Sequence, residues 1–476
     1  MAQNYHLIVI GAGSGGLVAA AGAAALGAKV ALIEKFKMGG DCLNTGCVPS
    51  KSILRAAKLA HDAKTASRFG LGAFRPAVEL DRVMASVREV QEKIAPHDSP
   101  ERFRGLGVTV RFGSYRFLSR HEITDGNEVL SARRFVIATG SSPRVPEIPG
   151  LNEVPFLTSD TVWGLTRLPE RLLVLGGGPI GVEMAQAFAR LGARVSLVEK
   201  NPSLLPREDT EVSRLLVKIF RAEGIDVLPS TTLREFRKGA KGFELIASHP
   251  IEGEMTLSFD TLLVAVGRSP HVKGLDLTKA GVDASEEGIP VNEKLQTSSP
   301  HIYACGDVTG PYRFTHTADF QARLILRNAL FPGSARIDYR TVPWCTFTDP
   351  EVARVGLNER EASRSHIPYE VYAYPMDELD RALCDREEKG FIKILVKKGS
   401  DRILGVTLVG PHAGEVIHEA VLAMHQGIGL KKIASMIHVY PTLSEIVKRA
   451  ADAHQASRLT PRLKRWLRRY FSWRFG

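Results

Sequence analysis

The sequence predicts an α/β fold built on two parallel-sheet units, and three observations carry that prediction. One strand–turn–helix–strand pattern occurs twice, as HLIVIGAGSGGLVAAAGAAALGAKVALIEK over residues 6 to 35 and RLLVLGGGPIGVEMAQAFARLGARVSLVEK over residues 171 to 200. In each copy two apolar runs flank an alanine-rich helix, the pattern of a βαβ crossover in a sheet covered on both faces. At 476 residues and 44% hydrophobic content, the chain can also bury roughly two to four domain cores.

Each copy turns through G-x-G-x-x-G: Gly11, Gly13 and Gly16, then Gly176, Gly178 and Gly181. The first glycine permits the tight turn and the second lets the backbone approach a pyrophosphate. The third allows helix and strand to pack closely, while the helix N-terminus faces the phosphates. Glu34 and Glu199 end the second strands, where a carboxylate accepts hydrogen bonds from ribose hydroxyls. Two such Rossmann-like sites point to electrons passing between two dinucleotides. The acid at Glu199 suits a free 2′-hydroxyl, so NADH is favoured over NADPH, although Lys200 follows it.

Behind the first copy, MGGDCLNTGCVPSKS (residues 38 to 52) holds Cys42 and Cys47, two of five cysteines. Five is too few, and odd, for a secreted disulfide framework, so a reducing compartment is expected. In a regular helix residues five apart rise about 7.5 Å, beyond the roughly 7 Å limit for bridged Cα atoms. A Cys42–Cys47 bridge therefore requires an irregular turn, which Asn44 and Gly46 supply. Pro49 suits the first turn of a following helix, which places Cys47 near its positive end with Lys51 one turn on; both favour thiolate. Asp41 acts on Cys42 in the opposite sense, by like-charge repulsion. Cys47 is the expected resting thiolate and Cys42 the more exposed, attacking sulfur. Cys305 reads as core, and Cys345 and Cys384 as incidental thiols.

The strand-like run from Tyr5 leaves no room for a secretion signal, and the weakly charged stretch 15 to 28 is too short to span a bilayer. A cytoplasmic enzyme is expected. The net charge of +11 is concentrated in RLTPRLKRWLRRYFSWRFG, residues 458 to 476, which carries seven Lys or Arg and no acid. Thr460 and Pro461 read as an N-cap and first helical residue. Leu459, Leu463, Trp466, Leu467, Tyr470 and Phe471 recur on one face, as in an interfacial membrane helix at the inner face of a membrane. A helix packed on a dimer with a solvated basic face is the competing reading. Nucleic acid is not an expected partner.

The chain is identified as resembling the class I pyridine nucleotide–disulfide oxidoreductases, the group of dihydrolipoamide dehydrogenase, glutathione reductase and mercuric reductase. The motifs are GGDCLNTGCVPSK, VIATGS at 136 to 141, GGGPIGVE at 176 to 183, VAVGRSP at 264 to 270 and IYACGDV at 302 to 308. FTDPEVARVG at 347 to 356 and YPTLSE at 440 to 445 follow. The resemblance implies an FAD domain (1–150 and 271–337) interrupted by an NAD(P) domain (151–270). After these come an α+β dimerisation domain (338–455), which makes a homodimer, and the basic tail (456–476). It implies FAD at the first site and NADH or NADPH at the second, with Gly40, Thr139, Gly140, Gly267 and Arg268 among the cofactor-binding residues. Asp307 would bind the ribityl chain with Thr315 nearby, and Lys51 and Glu183 would pair beside the flavin. Cys47 would lie closest to the flavin and Cys42 would exchange with substrate, through a redox-active disulfide. No resident metal is implied.

The disulfide reductases place a His before the Pro-Thr of the terminal motif; here that residue is Tyr440, while the supporting acid, Glu445, is kept. A tyrosine, with an ordinary pKa near 10, is a poor proton shuttle at neutral pH, and whether His438 or Tyr440 is the acid–base group stays open. Mercuric reductases also lack that His and use tyrosine near the metal, and they usually add a pair of adjacent cysteines near the C-terminus, whereas the last cysteine here is Cys384. Many relatives carry Thr at the position of Asp41. The resulting expectation is an FAD-dependent oxidoreductase that passes electrons through Cys42–Cys47 to a metal ion or another electrophilic small molecule. The alternatives are a dihydrolipoamide dehydrogenase-like disulfide reductase and a membrane-recruited flavoprotein with a binding or sensing role.

Overall fold

The structure, a computed structural model, describes residues 3–240, 242–332 and 334–476. The chain forms two compact units. One comprises Met1–Ser67, Gly72–Leu204 and Phe220–Asp338; the other comprises Arg68–Leu71, Leu205–Ile219 and Tyr339–Gly476.

The first unit holds both βαβ copies. Strands β1 (Gln3–Ile10), β2 (Val30–Glu34), β3 (Thr109–Phe112), β4 (Arg116–Ser119), β5 (Glu122–Thr124) and β6 (Val129–Ile137) run in the order β3-β2-β1-β6-β5-β4. The β3-β2-β1-β6 part is parallel, and β5 and β4 add antiparallel strands at one edge. Leu7, Val9 and Leu32 point into one core while Ile8, Ile10 and Ile33 point into another, so the apolar run of β1 is buried on both faces. Helix α1 (Ser14–Ala25) packs on the first face against a helix at Thr315–Leu330, and its small residues set the distance. A Cβ at Gly15 would come within 2.9 Å of the Cys305 sulfur, and one at Gly22 within 2.3 Å of Leu326 Cδ1. Cys305 is core, as expected from its strand-like run.

The second sheet comprises β7 (Phe156–Thr158), β8 (Arg171–Leu175), β9 (Arg194–Val198), β10 (Asp226–Leu228) and β11 (Thr261–Val264). Its order is β10-β9-β8-β11-β7, all parallel. The loop following each first strand is fixed by the same two backbone bonds. Gly11 N donates to Ile33 O and Ala138 N to Ile10 O; Gly176 N donates to Val198 O and Ala265 N to Leu175 O, all at 2.8 Å. Between β2 and β3 in sequence lie α2 (Gly40–Asn44) and α3 (Cys47–Thr65); α4 (Pro179–Leu191) follows the second glycine turn, and the Thr315–Leu330 helix is α5.

In the second unit, five antiparallel strands lie in the order Pro343–Thr346, Glu351–Gly356, Ile403–Gly410, Phe391–Lys397, Tyr369–Pro375. Ile392, Ile394, Val406 and Leu408 pack with Ile446 and Val447 of the helix Glu445–Ser457. The acidic run Glu208–Glu211 joins this unit by charge. Arg354, 1% exposed, lies 3.4 Å from Glu208 and 3.0 Å from Glu361, with its guanidinium 4.3 Å over the Trp344 ring. Asp209, Glu211 and Glu359 have the spacing of a cation site, and the Lys393 ammonium binds all three, at 2.6 Å from Asp209 and 2.8 Å from Glu359. Helix α6 (Pro461–Phe475) is capped by Thr460, whose hydroxyl accepts from Leu463 N at 3.2 Å, and none of its residues is buried.

Candidate active site

The two glycine turns have the same construction. Gly11 and Gly176 both adopt φ +104°, and a Cβ at either would strike a backbone carbonyl, of Ala138 or Ala265. A Cβ at Gly16 or Gly181 would lie 1.8 Å from the oxygen of Gly11 or Gly176. The middle glycines differ: at Gly178 a Cβ would meet nothing within 4 Å, and at Gly13 only Gly40 Cα at 3.7 Å. Gly13 and Gly178 are the N-caps of α1 and α4, and neither N-terminus takes a side-chain capping hydrogen bond. Protein packing therefore does not demand a glycine there, whereas a phosphate approaching the helix N–H groups does. The cradles fit dinucleotides on this ground.

Both acids are aimed by the residue between the first two glycines. Ala12 N donates to Glu34 at 2.8 Å and Gly177 N to Glu199 at 2.6 Å. Glu34 takes one further backbone donor, from Phe36, and Glu199 takes both the N–H and the side-chain amide of Asn201. A carboxylate offers about four acceptor positions, so each keeps capacity for a ribose hydroxyl.

The dithiol turn lies against the first cradle. Gly40 at φ +57° touches Gly13, since a Cβ on Gly40 would fall 2.6 Å from Gly13 Cα. Cys42 sits in α2, the chain breaks its helical path at Thr45 and Gly46, and Cys47 is the first residue of α3. Pro49 sits in the first turn, as expected, and Cys47 lies at the positive end of the helix. Asn44 pins the turn by donating to Met38 O and Gly40 O at 3.0 and 2.9 Å.

The five cysteines are free thiols. A hydrogen bond from Cys42 holds the Cys47 thiol down at about 6, against burial, with help from the Thr315 hydroxyl at 3.3 Å and the Lys51 cation. The same bond, with burial, pushes the Cys42 thiol up. Cys47 is the thiolate and Cys42 keeps the proton; the expectation that Cys42 is the more exposed sulfur is corrected, since Cys47 is exposed and Cys42 half-buried within the turn. The cause expected for Cys42, repulsion by Asp41, is corrected: the Asp41 carboxylate is paired with Arg268. Lys51 Nζ lies 3.0 Å from Glu183 of α4.

Arg268 gathers four segments, one of them through Ser159 Oγ at 3.4 Å. Besides Asp41, it donates to Ser141 Oγ at 2.7 Å and to Ser141 O at 2.8 Å, and lies 3.6 Å from Asp307. Ser141 in turn donates to Asp307 at 2.6 Å. Thr139 donates to His271 O at 2.7 Å, while Gly140 (φ +71°) and Gly267 (φ +130°) have open space where a side chain would go. Sequence reasoning missed Ser141 and the Asp41–Arg268 pair; Ser141 was within reach as the last residue of VIATGS.

Tyr440 and Glu445 lie in the second unit. The Tyr440 hydroxyl donates to Asp380 at 2.8 Å, and this bond raises its pKa above the ordinary tyrosine value. Glu445 is buried, with one oxygen lacking a partner. His438 is turned to Glu419, at 3.1 Å.

Comparisons with known proteins identify the family. Residues 5–322 match the model of the pyridine nucleotide-disulphide oxidoreductases and residues 342–451 that of their dimerisation domain. The chain is 36% identical over 456 residues to a mercuric reductase of Streptomyces lividans, covering 94% of this chain and 96% of the relative. It is 39% identical over 460 residues to a dihydrolipoyl dehydrogenase of Thermus scotoductus, covering 95% and 97%. The solved Cu(II) complex of the HOCl-induced flavoprotein disulfide reductase RclA of Escherichia coli superimposes with a TM-score of 0.84 at 27% identity, covering 95% of this chain and 99% of that one. The chain belongs to the pyridine nucleotide-disulphide oxidoreductases, flavoprotein enzymes that use FAD and NAD(P)H.

Proposed function

We propose that this flavoprotein oxidises NADH and delivers two electrons through Cys42 and Cys47 to a thiophilic metal ion or another electrophile. Tyr440 carries this reading. A disulfide substrate leaves behind a thiolate that must be protonated, and the terminal motif offers a phenol already donating to Asp380 in place of an imidazole. A thiolate-bound metal ion needs no such proton. The names of the mercuric reductase relatives and the Cu(II) complex of the structural neighbour point the same way. The dihydrolipoyl dehydrogenase relative supports the alternative, a disulfide acceptor.

In this reading Gly11, Gly13, Gly16, Glu34, Gly40, Thr139, Gly140, Asp307 and Thr315 hold FAD, and Gly176, Gly178, Gly181, Glu199 and Gly267 hold the nicotinamide cofactor. Bound FAD supplies the two-electron relay between a hydride donor and a disulfide. Arg268 orients Asp307, and Lys51, fixed by Glu183, keeps a cation beside the Cys47 thiolate. When Cys42 and Cys47 close to the disulfide, their two electrons go to the acceptor and the Cys42 proton is released. The domain division is 1–150 with 271–337, 151–270, and 338–455, the last forming a homodimer; residues 456–476 make a peripheral membrane contact.

The test is NADH oxidation by the FAD-loaded enzyme against Hg(II), Cu(II), lipoamide, glutathione disulfide and quinones. Turnover with a metal ion that disappears in Cys42→Ser is expected. Faster turnover with lipoamide or glutathione disulfide than with either ion would overturn the metal reading.

A further inference from the structure

Helix α6 lies largely in solvent, with only Leu467 and Tyr470 half-buried. Its fifteen residues include none that is buried, with Trp466 at 59%, Trp473 at 80% and Phe475 at 77% exposure. At 3.6 residues per turn, Leu463, Trp466, Leu467, Tyr470 and Trp473 share one face, and Phe471 borders it. Arg462, Lys464, Arg465, Arg468 and Arg469 take the opposite face. The Trp466 and Tyr470 rings stack at 5.7 Å, so the apolar face is an ordered aromatic surface. Arg474 alone interrupts it, in the last turn, where a long side chain can turn its head outward.

We infer that α6 is an in-plane anchor for an anionic bilayer surface, which gives the peripheral contact proposed above its face and its lipid class. A surface of headgroups over acyl chains matches both faces at once. The leucines and aromatic rings enter the boundary region, and the basic face, with no acid between residues 458 and 476, lies against anionic headgroups. A nucleic acid would satisfy the arginines but leave the opposite aromatic face in water. Pairing with the helix of a second copy would bury the aromatics but give the basic face no counter-charge. The helix does not insert across the membrane: among the described residues no helix is long and apolar enough to cross one.

The experiment uses the full-length FAD-loaded protein with phosphatidylcholine vesicles, with and without phosphatidylglycerol. Sedimentation and tryptophan emission are read together, since two of the chain's four tryptophans lie on α6. The expected result is at least tenfold more protein bound to the anionic vesicles, a blue-shifted emission, and release by salt. Deletion of residues 458–476 abolishes binding, and Trp466→Ser with Trp473→Ser weakens it at least tenfold. Because both positions are exposed, the double variant keeps the wild-type thermal midpoint. Equal binding of the deletion variant, equal binding to both vesicle types, or tighter binding to duplex DNA than to anionic vesicles would overturn the inference. Emission already blue-shifted and unmoved by vesicles would overturn it in favour of helix pairing. None of these readouts depends on the electron acceptor, so failure of the metal reading leaves them unchanged.

Discussion

Arg268 is bound to Asp41, the residue immediately before Cys42, across 227 positions of sequence. Through that guanidinium the dithiol turn is tied to the Ser141–Asp307 pair. Asp41 is therefore a positioning residue for the thiol turn and the Ser141–Asp307 pair together.

Asp41→Asn removes the charge but keeps the shape. Because the Asp41 side chain is half exposed, the expected loss of stability is small, about 1 kcal/mol. Arg268→Met costs more, because it leaves Asp41 and Asp307 beside each other without the shared cation. A double-mutant cycle read by thermal unfolding should show coupling between the two positions, and the Arg268 variant should retain less FAD after dialysis. Additive effects would remove Asp41 from this role.

Alkylation of the reduced protein by iodoacetamide should follow the Cys47 thiolate. The group is lowered to about 6, so reactivity is full at neutral pH and falls as the pH drops through that value. Cys42→Ala removes the bond that contributes most, and Lys51→Met a smaller charge effect. Both should move the midpoint upward, Cys42→Ala further. Peptide mapping of the labelled site checks that Cys47, and not Cys42, reacts first.

Tyr440→His should restore an imidazole to the terminal motif. Turnover of lipoamide or glutathione disulfide is expected to rise, by the 10²- to 10⁴-fold typical of general acid–base groups at most. Turnover of a metal ion should change little. Tyr440→Phe, which loses the bond to Asp380, should leave both low disulfide turnover and metal turnover near wild type; steady-state rates on the two acceptors decide this.

Lys393→Met should be among the most destabilising single changes in the chain. The ammonium is almost fully buried against Asp209, Glu211 and Glu359, and removing it strands the buried Asp209 carboxylate in the interior at a cost of about 3–5 kcal/mol. Denaturant unfolding measures it. Chelators should have no effect on the wild type, since the cluster's cation is a lysine.

The parts of the fold that were legible are those written in short range. Gly16 and its copy Gly181 are required by contacts with a residue five positions back, and Thr460 caps a helix three residues away. The direction of the Cys47 shift was legible because Gly46, Pro49 and Lys51 lie in the same segment. Its cause on Cys42 was not, since the partner of Asp41 is an arginine from a distant strand. The first turn of α3 was legible too, because Pro49 fits there, and the helix starts at Cys47. Nothing local in DRALCDREE indicates that Asp380 accepts from Tyr440, a contact made across 60 positions.

Helix α3 begins at Cys47 and is fastened to α4 twice. Near its start Lys51 pairs with Glu183, and at its far end Lys64 donates to the Arg190 carbonyl at 2.7 Å. Since α4 rises directly from the second glycine turn, the thiolate and the second dinucleotide cradle ride on one two-helix splint. A redox change that rotated α3 would have to carry that cradle with it. Opening and closing of the disulfide is therefore confined to the Cys42 side, where α2 is only five residues long and is tethered by Asp41.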